Sequence, residues 1–101
     1  MPGNLLNLVN TIRDRKNKDK GKSYTSSLLS GGLSKCIDKM EEEFDELKEA
    51  LNDKSNIVHE AADTIYHILV TLEAADIKFE DVLKELEDRK KQSGIEEKNN
   101  R

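Results

Sequence analysis

Residues 57–75 read IVHEAADTIYHILVTLEAA, and the pattern inside them decides the fold. Ile57, Val58, Ala61, Ala62, Ile65, Tyr66, Ile68, Leu69, Val70 and Leu72 spread around most of a helical circumference. A helix so apolar is buried on nearly every side. The chain has 101 residues, 35% of them hydrophobic and 38% charged, too little apolar material to surround such a helix alone. A partner chain is therefore expected, giving a homodimer or a higher oligomer. One narrow strip interrupts the apolar surface. At about 100° per residue, Glu60, Asp63, Thr64, His67 and Thr71 fall on it together. No run of Lys or Arg shares that strip, and carboxylates beside apolar surface are costly without a partner.

Outward from this helix the chain is helical throughout. Asn52 to Asn56 is a short polar connection, so the preceding helix must run antiparallel. That helix is predicted from about Leu33 to Leu51, with Leu33, Cys36, Ile37, Met40, Phe44, Leu47 and Leu51 as its apolar stripe. Leu5, Leu6, Leu8, Val9 and Ile12 predict a first helix from about Asn4 to Lys16, followed by the basic connector RKNKDKGK. Ser23-Tyr24-Thr25 caps a short helix over Ser26 to Leu29, which Gly31-Gly32 breaks. A last helix starts near Phe79 and turns Val82, Leu83 and Leu86 toward the core. The expected architecture is all-α, an antiparallel helical hairpin bundle completed by dimerisation. One domain spans residues 1–92, with a disordered polar tail over 93–101.

Composition narrows the function. A net charge of −4 argues against nucleic acid as a partner, whose binding needs a basic surface. It also disfavours a polyphosphate ligand unless a divalent cation mediates the contact. Cys36 is the only cysteine, so no intrachain disulfide forms. The start of the chain lacks the pattern of a signal peptide and no run approaches a membrane span, so a cytoplasmic protein without membrane association is expected.

Two acidic clusters carry the chemistry: Glu42-Glu43-x-x-Glu46 and Glu60-x-x-Asp63. Alone, the first is an ordinary charged helix face. The hairpin changes its meaning. Counting back and forward from the turn at about 1.5 Å per residue, Glu46 comes level with Glu60 and Glu43 level with Asp63. Glu43 and Glu46 flank the apolar stripe, whereas Glu42 points nearly opposite it. Four carboxylates thus converge at one height, and hard oxygen ligands of this kind select Mg²⁺ or Mn²⁺ over zinc. The competing reading is a structural ion-pair network with lysines folded in from elsewhere.

The pattern EExxE, about a dozen residues, then ExxD resembles the signature of the all-α, MazG-like nucleoside triphosphate pyrophosphatases. SYTSSLL at 23–29, GGLSKCIDK at 31–39 leading into EEEFDE, and HEAADTIYHILVTL at 59–72 are similar in order and spacing to the phosphoribosyl-ATP pyrophosphatase family. The likeness covers about Ser23 to Arg89. It departs from the family where Glu41 replaces a usual glycine, where Phe44 replaces a small residue, and where Asp45 and Glu49 replace apolar ones. The resemblance implies a small nucleotide substrate, phosphoribosyl-ATP, cut between its α and β phosphates with a divalent cation. It implies Glu43, Glu46, Glu60 and Asp63 as metal ligands, with Glu42 holding a second ion or orienting the attacking water.

Lys35 and Lys39, one turn apart, are either helical salt-bridge partners or phosphate-neutralising groups, and the resemblance favours the second. Ser23, Tyr24 and Thr25 are either a helix cap or substrate contacts. His67, one turn beyond Asp63, either touches substrate or orients a carboxylate. Cys36 sits in the apolar stripe and reads as core. Two other functions stay open on the residues alone: a house-cleaning pyrophosphatase acting on other nucleotides, and a helical interaction module with no catalysis.

Overall fold

The computed structural model describes residues 2–16 and 24–90. Ser23 and the 93–101 tail lie outside the described residues. The described residues form five helices and no strand: α1 (Pro2–Arg15), α2 (Tyr24–Ser30), α3 (Gly32–Asp53), α4 (Ile57–Ala74) and α5 (Phe79–Arg89). The fold is the all-α one expected. α2 begins two residues earlier than predicted, so Tyr24 and Thr25 lie inside it rather than before it. Gly32 opens α3 at φ 88, a conformation that a β-carbon would strain.

α3 and α4 form the dominant contact. Lys54 ends α3 in the left-handed region (φ 57, ψ 41) and returns its backbone N–H to the Ala50 carbonyl. Ser55 N–H reaches the same carbonyl at 3.1 Å, so one acceptor closes the helix end in the usual left-handed way. Asn56 is left-handed too (φ 57), a conformation Asn tolerates better than most residues. Two such residues reverse the chain within three positions, and α4 returns antiparallel along α3.

Two threonines mark the register of this hairpin. Thr64 Oγ1 lies 3.2 Å from the Glu43 carbonyl, and Thr71 Oγ1 lies 3.2 Å from that of Cys36. Both partners step by seven residues in opposite directions, as an antiparallel pair must.

The core sits at the end of the hairpin far from the turn. Val9 and Ile12 of α1, Leu28 of α2, Cys36 of α3, and Leu69 and Val70 of α4 are buried together, with Leu5, Leu29, Tyr66, Ala74 and Phe79 packed against them. Arg13 and Lys16 fasten this end from outside. The Arg13 guanidinium donates to Glu73 at 3.3 Å and to both Glu80 oxygens at 3.0 and 3.2 Å. Lys16 Nζ donates to the Glu73 carbonyl at 2.9 Å and to the Asp76 carboxylate.

Several expected core positions are open within one chain. Only Cys36 and Ala50 of α3 are buried, while Leu33, Ile37, Phe44 and Leu51 are exposed. On α4, Val58 is 85% and Ile65 50% exposed. The reason is supply: α1 and α2 cover only the Cys36 end of the hairpin. α5 buries no residue. Leu86 is exposed rather than turned inward, because Phe79 alone of α5 packs on the core cluster. Among the described residues no helix is long and apolar enough to cross a membrane.

Candidate active site

Toward the turn, where apolar packing thins out, the hairpin carries its carboxylates. One oxygen from each of Glu43, Glu46 and Glu60 lies within 4.8 Å of the other two. Asp63 joins a second group, with His59 and Glu60, inside the same 4.8 Å limit. Glu60 is common to both. The four acids expected at one height thus form two overlapping sets. His59, which the sequence reading did not single out, is drawn in through Nε2, 3.2 Å from Asp63 Oδ2. Its signal was the i,i+4 spacing to Asp63.

Glu43 is the strained member. Its Oε2 is buried without a hydrogen-bond partner, a condition rare in folded proteins. Burial pushes its carboxyl above the usual range, and the charges of Glu46, Asp63 and Glu60 push the same way against an opposing pull from His67. A cleft of about 250 Å³ opens beside the group, lined by Glu46, Glu49, Asp53 and Glu60 with Ala50, Ser55 and Asn56. Among the described residues, no Lys or Arg ion pair is recorded for Glu43, Glu46 or Glu60. A divalent cation fits this donor set: three clustered carboxylates, one of which, Glu43, holds a desolvated and unsatisfied oxygen, all hard ligands.

The remaining candidates arrange themselves around α4. His67 is buried. Its Nδ1 lies 2.8 Å from the Asp63 carbonyl, which only accepts, so Nδ1 carries a proton. In the neutral ring Nε2 is then an acceptor, and the Tyr24 hydroxyl donates to it across 3.0 Å. Tyr24, half open to solvent, stacks on Tyr66 with ring centroids 6.3 Å apart. Its hydroxyl is pushed up in pKa by partial burial first and by the Glu43 charge next. Thr25 turns inward and hydrogen-bonds the Tyr66 hydroxyl. Glu42 is exposed and pairs with Lys39 at 3.6 Å. Lys35 is exposed, its stem so close over Gly31 that a β-carbon there would fall 2.4 Å from Lys35 Cδ. Cys36 is a free, buried thiol that donates to the Leu28 carbonyl at 3.4 Å, in keeping with a core role.

Comparison with known proteins gives the family. The model of the phosphoribosyl-ATP pyrophosphohydrolase family (PRA-PH) matches residues 5–90. The chain belongs to that family. Relatives of the phosphoribosyl-ATP pyrophosphohydrolase family match it nearly end to end. The phosphoribosyl-ATP pyrophosphatase of Paracoccus denitrificans (strain Pd 1222) is 43% identical over 102 residues, 99% of this chain and 94% of its own length. That of Roseobacter denitrificans (strain ATCC 33942 / OCh 114) is 46% identical over 96 residues, 93% of this chain and 91% of its own. A third, from Rhizobium etli (strain CIAT 652), is 40% identical over 99 residues, 96% and 92% of the two chains. Both acidic groups, Tyr24, Thr25, Lys35, Lys39 and His67 fall inside the span that the phosphoribosyl-ATP pyrophosphohydrolase family covers.

Proposed function

We propose that this protein hydrolyses phosphoribosyl-ATP to phosphoribosyl-AMP and pyrophosphate, the second step of histidine biosynthesis, with Mg²⁺ or Mn²⁺ held by Glu43, Glu46, Glu60 and Asp63. The observation that carries the metal reading is the cluster of Glu43, Glu46 and Glu60, in which Glu43 holds a buried, unpartnered oxygen. The substrate reading follows relatives of this name that match nearly the whole chain. When bound, the divalent ion offsets polyphosphate charge and activates water or the scissile bond. The chain's own residues do the rest. The acidic hairpin repels a polyphosphate at every point except where that charge is neutralised, which confines binding to one place. Lys35 and Lys39 sit on the same flank of α3 and take phosphate oxygens. Tyr24 presents its half-exposed ring to substrate while His67 holds its hydroxyl. Glu42, exposed beside the cluster, orients the attacking water.

The working unit is at least a homodimer. Support comes from the apolar residues left open along the hairpin, Val58, Ile65, Phe44 and Leu51 among them, which a second copy of the chain would cover. The protein works in the cytoplasm, where a lone buried thiol such as Cys36 stays reduced.

The test is pyrophosphate release from phosphoribosyl-ATP. A chelator should silence the reaction and Mg²⁺ restore it, with zinc a poor substitute. In ¹⁸O-labelled water the label should appear in phosphoribosyl-AMP, as attack at the α phosphorus requires. Label confined to pyrophosphate would place attack at the β phosphorus and end this mechanism. Faster turnover of ordinary deoxynucleoside triphosphates would move the substrate assignment to a house-cleaning enzyme.

A further inference from the structure

Thr64 belongs to no acidic motif, yet its hydroxyl lies between the backbones of two of the site's acids. It is 2% exposed, and it is the first buried residue of α4 counted from the turn. Its hydroxyl lies 2.8 Å from the Glu60 carbonyl and 3.2 Å from the Glu43 carbonyl. Both carbonyls also accept within their own helices, so the threonine uses second lone pairs and shares its one proton between them. The two residues so joined are the carboxylates that meet across the hairpin.

The need for such a tether follows from the rest of the interface. Between Cys36 and the turn, α3 buries only Ala50. At the height of the carboxylates the apolar side chains between the two helices, Met40, Leu47 and Ala61 among them, are only half-buried. Apolar contact is non-directional and resists a slide of one helix along the other only weakly. A slide by one residue is about 1.5 Å, whereas cation coordination by carboxylate oxygens tolerates about 0.2 Å. A directional hydrogen bond at that level is what can hold the register more finely than the turn does.

We propose that Thr64 is a positioning residue that sets the height of Glu43 against Glu60 and so raises the affinity of the hairpin for a divalent cation. The inference rests on the metal reading given above. Thr71 supplies the internal control, because its hydroxyl makes the same bridge, 2.7 Å from the His67 carbonyl and 3.2 Å from that of Cys36, two turns away from the acids.

The experiment measures Mn²⁺ binding to chelator-stripped protein by the loss of the free-ion paramagnetic resonance signal, alongside melting temperature. Thr64→Val keeps the shape and removes the hydroxyl, and should weaken Mn²⁺ binding by about ten-fold. Thr64→Ser keeps the hydroxyl and should bind within about two-fold of the parent chain. Thr71→Val and Thr64→Val should both melt earlier than the parent, but Thr71→Val should retain parental Mn²⁺ affinity. Equal losses of affinity in Thr64→Val and Thr71→Val would mean general loosening and would overturn the proposal. So would parental binding by Thr64→Val. Should Thr64→Val not fold, a Thr64→Ser protein that binds as poorly as Glu43→Gln would overturn it instead. A parent chain that takes up no Mn²⁺ at all would defeat the metal reading first, and the positioning role with it.

Discussion

Replacing Glu43 with glutamine keeps the side-chain volume and removes a charge that the metal-free fold accommodates badly. The raised carboxyl gives the sign. A group whose folded pKa lies above its ordinary value of 4.5 contributes stability that is full below that value and is lost as pH rises through the folded one. At neutral pH without metal, Glu43 therefore works against the fold. In a chelating buffer Glu43→Gln should melt higher than the parent, and added Mg²⁺ should reverse that order by stabilising the parent alone. Turnover should fall by about a hundredfold or more. A Glu43→Gln protein that melts lower than the parent in chelator would show that the carboxylate is satisfied as it stands. At this scale the sequence was legible where charge type and helical spacing coincide: Glu43, Glu46 and Glu60 meet as the hairpin register requires. It was not legible where the decisive bond is to backbone. The polar strip marked Thr64 and Thr71, but a hydroxyl's choice between solvent and a carbonyl across the helix pair depends on how close the helices pack.

Among the elements, α1 and α5 are joined to the hairpin through Arg13, and that junction should respond to acid in the opposite sense to Glu43. The Arg13 hydrogen bond, more than any other cause, holds the Glu80 carboxyl below its ordinary 4.5. Such a group contributes stability above its ordinary value and loses it as pH falls through the depressed one. Thermal melts taken from about pH 5 down to about pH 3 should fall more steeply for the parent than for Glu80→Gln. Parallel curves would mean that solvent screens this exposed contact completely. Helix existence was legible in every case, because apolar spacing writes itself along the chain. The faces were less so. The α3 stripe runs from Leu33 to Leu51, yet only its Cys36 position is buried, since periodicity says which residues share a face and not whether anything covers it. Leu86 follows the same rule on α5.

The whole molecule leaves its hydrophobic account open on one side. An apolar groove lined by Leu5, Leu8 and Ile65, with Asn4 at its rim, lies on the α1 side of α4. Light scattering at micromolar concentration should find a dimer or larger species, and Ile65→Lys should shift it toward monomer by placing a charge on a surface that must be dry. A parent chain that is monomeric and fully helical would remove the dimer from the reading. That one chain leaves part of its own α4 open, at Val58 and Ile65, was legible from composition; which of the other expected core positions stay open was not, because that depends on how far α1 and α2 reach along the hairpin. Finally, consider the tight reversal at Lys54–Asn56. It places every ligand candidate between Glu43 and Asp63, so the site is a short-range object in a chain whose core is not. Contacts so local close early, ahead of those that bring α1 onto α4. The hairpin that carries the carboxylates can therefore take shape before α1 docks on α4. The carboxylates then face one another early in folding, while the core at the far end of the hairpin is still open.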